Sequence, residues 1–315
     1  MGDIIHAMVA LEFIKKALPK IQIDWIVEDG FKDVLQNNPH INNILPINLK
    51  AIKKKKSAIF SQYKILKEYS KNNYDLVIDA QGLLKSAIVC KIVAKKSIAG
   101  FDKNSIRESI ASYFYDDKIN IPYEANAIER NMAAICRPLH VEYTKENILN
   151  KKPFLYSSVH VEQNLEYGVF VVGASRENKM YPKEKFVELA DKLQKHIVVV
   201  WGNESEKELA TFISSNSEYA HIAPKGNLDK LKNIIGNSKF VIGGDTGPTH
   251  MAWALNIPSI TIFGNTPEYR NTYITPINKV VKSDSKVDAL KLDHSDFSIC
   301  DIAVNDILDK IREFM

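Results

Sequence analysis

The chain has 315 residues, 45% hydrophobic and 25% charged, with 42 Lys+Arg against 38 Asp+Glu. That length and balance fit a globular protein of two domains and exclude the disordered and collagen-like classes. Cys90, Cys136 and Cys300 stand far apart with no CxxC pair, which excludes a disulfide framework and a zinc ribbon and fits a reducing cytoplasm. No apolar run reaches the ~18 residues that cross a bilayer, and Asp3 stands where a secretory signal carries positive charge.

In chain order, helical periods alternate with short β-branched runs. They predict a helix over 4–17 stopped by Leu18-Pro19, a strand over 23–27, a short helix over 31–37, a strand over 44–47, a helix over 57–71, a strand over 76–80 and a helix over 83–93. After a join within 145–167, where Pro153 and polar residues interrupt the periodicity, a second set follows. It comprises a strand over 169–172, a helix over 182–193, a strand over 197–201, helices over 204–214 and 228–237, strands over 240–242 and 259–263, and a last helix over 304–314. The expected fold is α/β, with two Rossmann-like domains facing a central cleft. Residues 1–150, joined by the C-terminal segment 301–315, form one domain, and 151–300 the other.

The stretch from Phe240 to Leu255 is an apolar strand, a Gly-rich turn and a helix of small residues. Gly243, Gly244 and Gly247 permit a tight turn, Thr246 and Thr249 add hydroxyls, and the helix start supplies amides and the positive dipole end. This reads as a phosphate or diphosphate site, or else as an ordinary strand-to-helix turn with a good cap. Lys179, with Ser175 nearby, is placed either to meet such a diphosphate or as a surface lysine. Glu206 or Glu204 follows the strand ending in Trp201-Gly202 and suits a ribose contact or a helix first turn. Asp3 is a helix N-cap or a catalytic carboxylate, and His250 a base or a hydrogen-bonding residue within its own turn.

Residues 51–100 hold 11 Lys+Arg against 3 Asp+Glu, so the N-terminal half carries the surface suited to an anionic partner. The run Lys53, Lys54, Lys55, Lys56 is part of that surface or a solvated loop, and no nucleic-acid module accompanies it. No GxGxxG follows the early strands, against a dehydrogenase. No Asp-x-Asp or His/Cys ligand spacing is present, so neither a metal nor another cofactor is expected.

Several segments together resemble the lipopolysaccharide heptosyltransferases: Met1-Gly-Asp-Ile-Ile-His-Ala7, Asp79-Ala-Gln-Gly-Leu-Leu-Lys-Ser86, Arg107-Glu-Ser-Ile-Ala-Ser-Tyr-Phe-Tyr115, Lys179-Met-Tyr-Pro182 and Gly244-Asp-Thr-Gly-Pro-Thr-His250. The likeness spans almost the whole chain in order and is greatest to the heptosyltransferase I branch. It implies GT-B architecture and an inverting glycosyltransferase that moves L-glycero-D-manno-heptose from ADP-heptose to Kdo on lipid A, without a metal, at the cytoplasmic face of the inner membrane. The second heptosyltransferase of the pathway and a GT-B-like sugar-nucleotide epimerase are the alternatives. The resemblance makes Asp3 the general base and Lys179 and Ser175 partners of the donor diphosphate. Glu206 becomes a partner of the ribose, and Asp245, Thr246, Gly247 and His250 the donor-binding turn. Lys53 to Lys56 and Arg107 match basic positions tied to the anionic acceptor. Ala174-Ser175 departs from the consecutive hydroxyl residues of relatives.

A doubly wound domain opens with a strand, yet residue 2 already stands at a helix entrance. The natural protein is therefore expected to begin about ten residues upstream, with Met1 internal, because a lost central strand would leave backbone groups unpaired. The first sheet is then expected to show an unfilled position beside 23–27 or 76–79, with Asp3 loosely anchored.

Overall fold

The computed structural model describes residues 1–158 and 165–314, the Lys53 side chain excepted. Residues 159–164 of the expected join lie outside the described set. The chain divides into two compact units, one of His6–Lys151 and the other of Met1–Ile5 with 152–315. They are called here the N-terminal and C-terminal units.

In the N-terminal unit, the helix expected over 4–17 is two helices, Gly2–Met8 and Ala10–Ala17, the first entering from the other unit. Ala10, Leu11 and Ile14 are the buried stripe of the second. It stops at Leu18, whose N–H reaches the Ile14 carbonyl at 2.7 Å, because Pro19 has no amide to continue the ladder. Strands β1 (Asp24–Glu28) and β2 (Asn43–Ile47) pair in parallel. Strands β3 (Leu76–Ile78), β4 (Ser97–Phe101) and β5 (Asp117–Ile119) form a second parallel sheet in that order. The periodicity did not predict β4 or β5, since β4 contains a glycine and β5 is three residues long with two of them charged.

Among the described residues no ladder joins β1 to β3, which accords with the break expected beside 23–27 or 76–79. The two sheets nevertheless share one apolar cluster, in which Ile26 and Val77 pack with Ile47, Leu66, Val89 and Val93. Their starts are tied by Asp24, whose Oδ2 accepts from the Tyr74 hydroxyl at 2.7 Å and from Asn72 at 3.3 Å. Beyond β3, buried Asp79 accepts from the amides of Gln81 and Gly82 and from the Tyr115 hydroxyl at 2.7 Å. Its Oδ1 thus fixes the turn that precedes the helix Leu84–Val93, while Tyr115 holds its Oδ2.

The C-terminal unit holds one six-stranded parallel sheet of β6 (Gly168–Val171), β7 (Ile197–Val200), β8 (Ala220–Ile222), β9 (Phe240–Gly244), β10 (Ser259–Phe263) and β11 (Asn278–Lys282). Its order is β11-β10-β9-β6-β7-β8. Central strands covered on both faces read as continuous apolar runs, which is why β6, β7, β9 and β10 were legible in the sequence. β8 and β11 sit at the edges and were not. Phe170 and Phe186 pack with their rings tilted by 43° and 5.1 Å between centroids in the main core.

One expectation fails here. The terminal helix Val304–Arg312 does not belong with the first domain: Val304, Ile307 and Ile311 are buried in the same core as Phe170, Phe186 and Leu189. Its i, i+3, i+7 stripe gives a face that needs cover. Lys185 anchors the preceding segment by donating to the Cys300 and Ile302 carbonyls at 2.6 and 2.7 Å.

Candidate functional site

The order of the six-stranded sheet decides where a ligand belongs. From β6 the chain moves to β7 and β8 on one side, then returns to β9 and β10 on the other. The loops leaving β6 and β9 therefore diverge, and such a reversal opens a crevice at the carboxyl ends of the strands. Ser175, Lys179, Glu206, Asp245, Thr246, Gly247 and His250 all fall on the segments that follow β6, β7 and β9.

At the centre lies Asp245, just past β9 and almost wholly buried. Its Oδ2 accepts from Lys179 Nζ at 2.8 Å and from Asn271 Nδ2 at 2.9 Å, and its Oδ1 stands 3.1 Å from His250 Nε2. Burial pushes this carboxyl up, but the His250 hydrogen bond and the charges of Lys179 and His250 outweigh it and hold it well below the ordinary carboxylate range. Both oxygens are thus engaged inside the unit. Asp245, expected within the donor-binding turn, thus ties Lys179, Asn271 and His250 together. Lys179 retains only 17% exposure of its side chain, and an ammonium has three N–H donors, of which this pair uses one.

Glycine is required where the two loops meet. A Cβ on Gly244 would lie 2.7 Å from the Lys179 carbonyl oxygen, so only a residue without a side chain lets the 3-10 turn Glu177–Lys179 close over the end of β9. Thr246 then opens the helix Gly247–Ala254, with Pro248 in its first turn. The hydroxyls of Thr246 and Thr249 are buried and have no hydrogen-bond partner among the described residues. Buried hydroxyls are rarely left so, and here two stand at a helix start that favours anions.

Between the alternatives Glu204 and Glu206, the structure separates the roles. Glu204 lies 3.7 Å from Lys207 on the helix surface. Glu206 turns back to accept the Gly202 amide at 2.7 Å, and its carboxyl carbon lies 2.2 Å from where a Gly173 Cβ would be. It therefore spans the ends of β6 and β7. Ser175 is exposed on the loop after β6.

Asp3 is not where the domain boundary 1–150 expected it. It is an exposed residue in the first turn of Gly2–Met8, and Met1–Ile5 belong to the C-terminal unit. Nor is this start loosely held. The Met1 side chain seats on Gly247, where an added Cβ would come within 2.6 Å of the Met1 Cβ, and Gly2 lies against the His250 ring. The Met1 carbonyl also accepts from the amides of Ile4 and Ile5.

Lys54, Lys55, Lys56 and Arg107 are exposed residues of the N-terminal unit, while the Lys53 side chain is outside the described set. Asn271, in the short helix Glu268–Asn271, was missed. It lies in no motif and reaches Asp245 only because the segment after β10 folds back. His294, which stands 2.6 Å from Arg176 Nη1 and whose carbonyl accepts from Asn178, was missed for the same reason. Among the described residues no group of three or more His, Cys, Asp or Glu could hold a metal ion.

The model of glycosyltransferase family 9 (heptosyltransferase) matches residues 62–293. The chain belongs to this family. As a family 9 glycosyltransferase it is 38% identical over 333 residues to lipopolysaccharide heptosyltransferase 1 of Campylobacter coli, covering 99% of this chain and 96% of that protein. It matches the E. coli heptosyltransferase WaaC with ADP at a TM-score of 0.82 and 27% identity, over 100% of this chain and 97% of the other. For WaaC with ADP-2-deoxy-2-fluoro heptose the TM-score is 0.80 at 27% identity, with 99% and 96% covered. The expected α/β fold of two Rossmann-like domains, GT-B in class, therefore holds for this family 9 enzyme.

Proposed function

We propose that this family 9 glycosyltransferase takes L-glycero-D-manno-heptose from ADP-heptose and attaches it, with inversion, to Kdo on lipid A. The observation that carries the donor side is the group at the β6/β9 reversal: Lys179 held by Asp245, beside two partnerless buried hydroxyls at the start of Gly247–Ala254. That set offers a cation, hydroxyl donors and a helix dipole to a diphosphate. Similarity to an enzyme solved with an ADP-heptose analogue supports the same choice.

In this reading Glu206, at the ends of β6 and β7, receives the ribose hydroxyls, and Ser175 adds a donor to the diphosphate. Lys179 and the helix start stabilise the departing ADP, the role that a divalent cation has in other transferases. Asp245 keeps the Lys179 ammonium in place and is itself no contact of the anionic donor. Asp3, exposed and close in sequence to the Met1–Gly247 contact, takes the proton from the acceptor hydroxyl as the new glycosidic bond forms and the bond to ADP breaks. Lys54 to Lys56 and Arg107 bind the anionic groups of the acceptor, and the enzyme works peripherally at the cytoplasmic face of the inner membrane. Among the described residues no helix is long and apolar enough to cross a membrane.

The test is release of ADP from ADP-heptose with and without Kdo-lipid A. Release that depends on the Kdo acceptor supports the reading. Equal release in its absence, or none with it, overturns it.

A further inference from the structure

The helix Ala58–Tyr69 has one face that the fold uses and one that it leaves bare. Its inward face is Gln62, Ile65, Leu66 and Tyr69, of which Leu66 lies in the apolar cluster beneath β1 and β3 and Ile65 and Tyr69 pack against it. Gln62 is fixed by accepting the Asn48 amide at 2.7 Å, and the Tyr69 hydroxyl donates to the Pro46 carbonyl at 2.8 Å. These contacts lock the rotation of the helix about its axis.

The outward face carries Phe60, Tyr63, Lys64 and Lys67 at helical i, i+3, i+4 and i+7 spacing, with Ile59 alongside. Phe60 is 72% exposed, Ile59 52% and Tyr63 48%. Single exposed apolar residues are ordinary. Three within five positions are different, because the same segment is also the most basic of the chain: residues 49–72 hold eight lysines and one acid. Lys54, Lys55 and Lys56 immediately precede the stripe and are exposed, and Lys67 Nζ lies 5.6 Å from the centre of the Tyr63 ring.

The geometry points to this face as the surface by which the enzyme rests on an anionic lipid bilayer, with Ile59, Phe60 and Tyr63 entering the headgroup boundary and the lysines meeting acidic headgroups. Charge complementarity decides the occupant. A cluster of this many lysines would repel a second copy of itself, whereas it is drawn to acidic lipid, and aromatic residues with Ile prefer the interface between headgroup and acyl chain. The inference deepens the acceptor reading, because an enzyme acting on a lipid-borne sugar has to work beside a bilayer. Its physical basis is separate from the donor site.

The experiment uses the full chain and vesicles that contain neither Kdo nor lipid A: phosphatidylcholine alone, and equimolar phosphatidylcholine and phosphatidylglycerol. Co-sedimentation is expected with the anionic vesicles and not the neutral ones, falling as salt is raised. Phe60→Ser with Tyr63→Ser is expected to lower partition by at least ~10-fold, and Lys64→Gln with Lys67→Gln to lower it and flatten its salt dependence. Unchanged Tm and ADP affinity would show that both variants are folded. Wild-type binding equal on the two vesicles, none on the anionic ones, or unchanged partition of the Ser variant overturns the inference. So does a concentration-dependent dimer that the Ser variant dissolves. Because the vesicles carry no acceptor and no donor is added, a failed transfer assay and a failed binding assay are separate outcomes.

Discussion

Lys179 Nζ and Asp245 Oδ2 lie 2.8 Å apart across 66 residues of chain, joining the loop after β6 to the turn after β9 at the point where the sheet reverses direction. The pair is nearly buried on both sides. Its loss should therefore be felt in both stability and catalysis.

Removing one partner of a buried pair leaves an uncompensated charge and costs about 3–5 kcal/mol. Asp245→Asn and Lys179→Met are each expected to lower Tm measurably, and the double variant to lower it less than the sum of the two. Transfer should not recover with the double variant, since the ammonium is gone. A strictly additive Tm loss would mean that the two groups do not support each other.

The same pair sets a pH dependence. The folded-state pKa of Asp245 is depressed, so its contribution is fully present above the unfolded carboxyl value of about 4 and is lost as pH falls below it. Thermal unfolding of the wild type between about pH 5 and pH 3 should show this loss, and Asp245→Asn should lie lower near neutrality and approach the wild type in acid. Parallel curves would remove Asp245 from the acid response.

For Asp3→Asn the expected result is near-normal ADP-heptose binding with kcat reduced by at least ~10²-fold, the usual contribution of a general base. Single-turnover and steady-state ADP release measure it. Near-normal turnover would leave Asp3 as a first-turn acid of its helix.

Gly173→Ala tests the reading of Glu206. The new methyl would occupy the position of the Glu206 carboxylate and force it off the Gly202 amide. Donor KM should rise by about 10-fold, one lost hydrogen bond of roughly 1.4 kcal/mol, with acceptor KM unchanged. An unchanged donor KM places the ribose elsewhere.

Chelation addresses the proposed role of Lys179 as the cation of the leaving group. Transfer by protein dialysed against EDTA is expected to match untreated enzyme. Loss of activity restored by a divalent cation would show that the lysine and helix dipole do not suffice.

Much of the C-terminal unit was determined by local sequence. Central strands β6, β7, β9 and β10 are uninterrupted apolar runs because helices cover both faces of a parallel sheet, and the Gly-rich turn after β9 announces itself by composition. The motifs put Lys179 and Asp245 in the same site, but only the fold paired them. Local pattern could not place Asn271 or His294, since each reaches the site through a long-range fold-back that leaves no periodic trace. It also assigned the helix Val304–Arg312 to the first domain, and Asp3 with it. An amphipathic stripe states that a face will be buried without stating against what. The core around Phe170 and Phe186 decided the first case, and the close seat of Met1 on Gly247 decided the second.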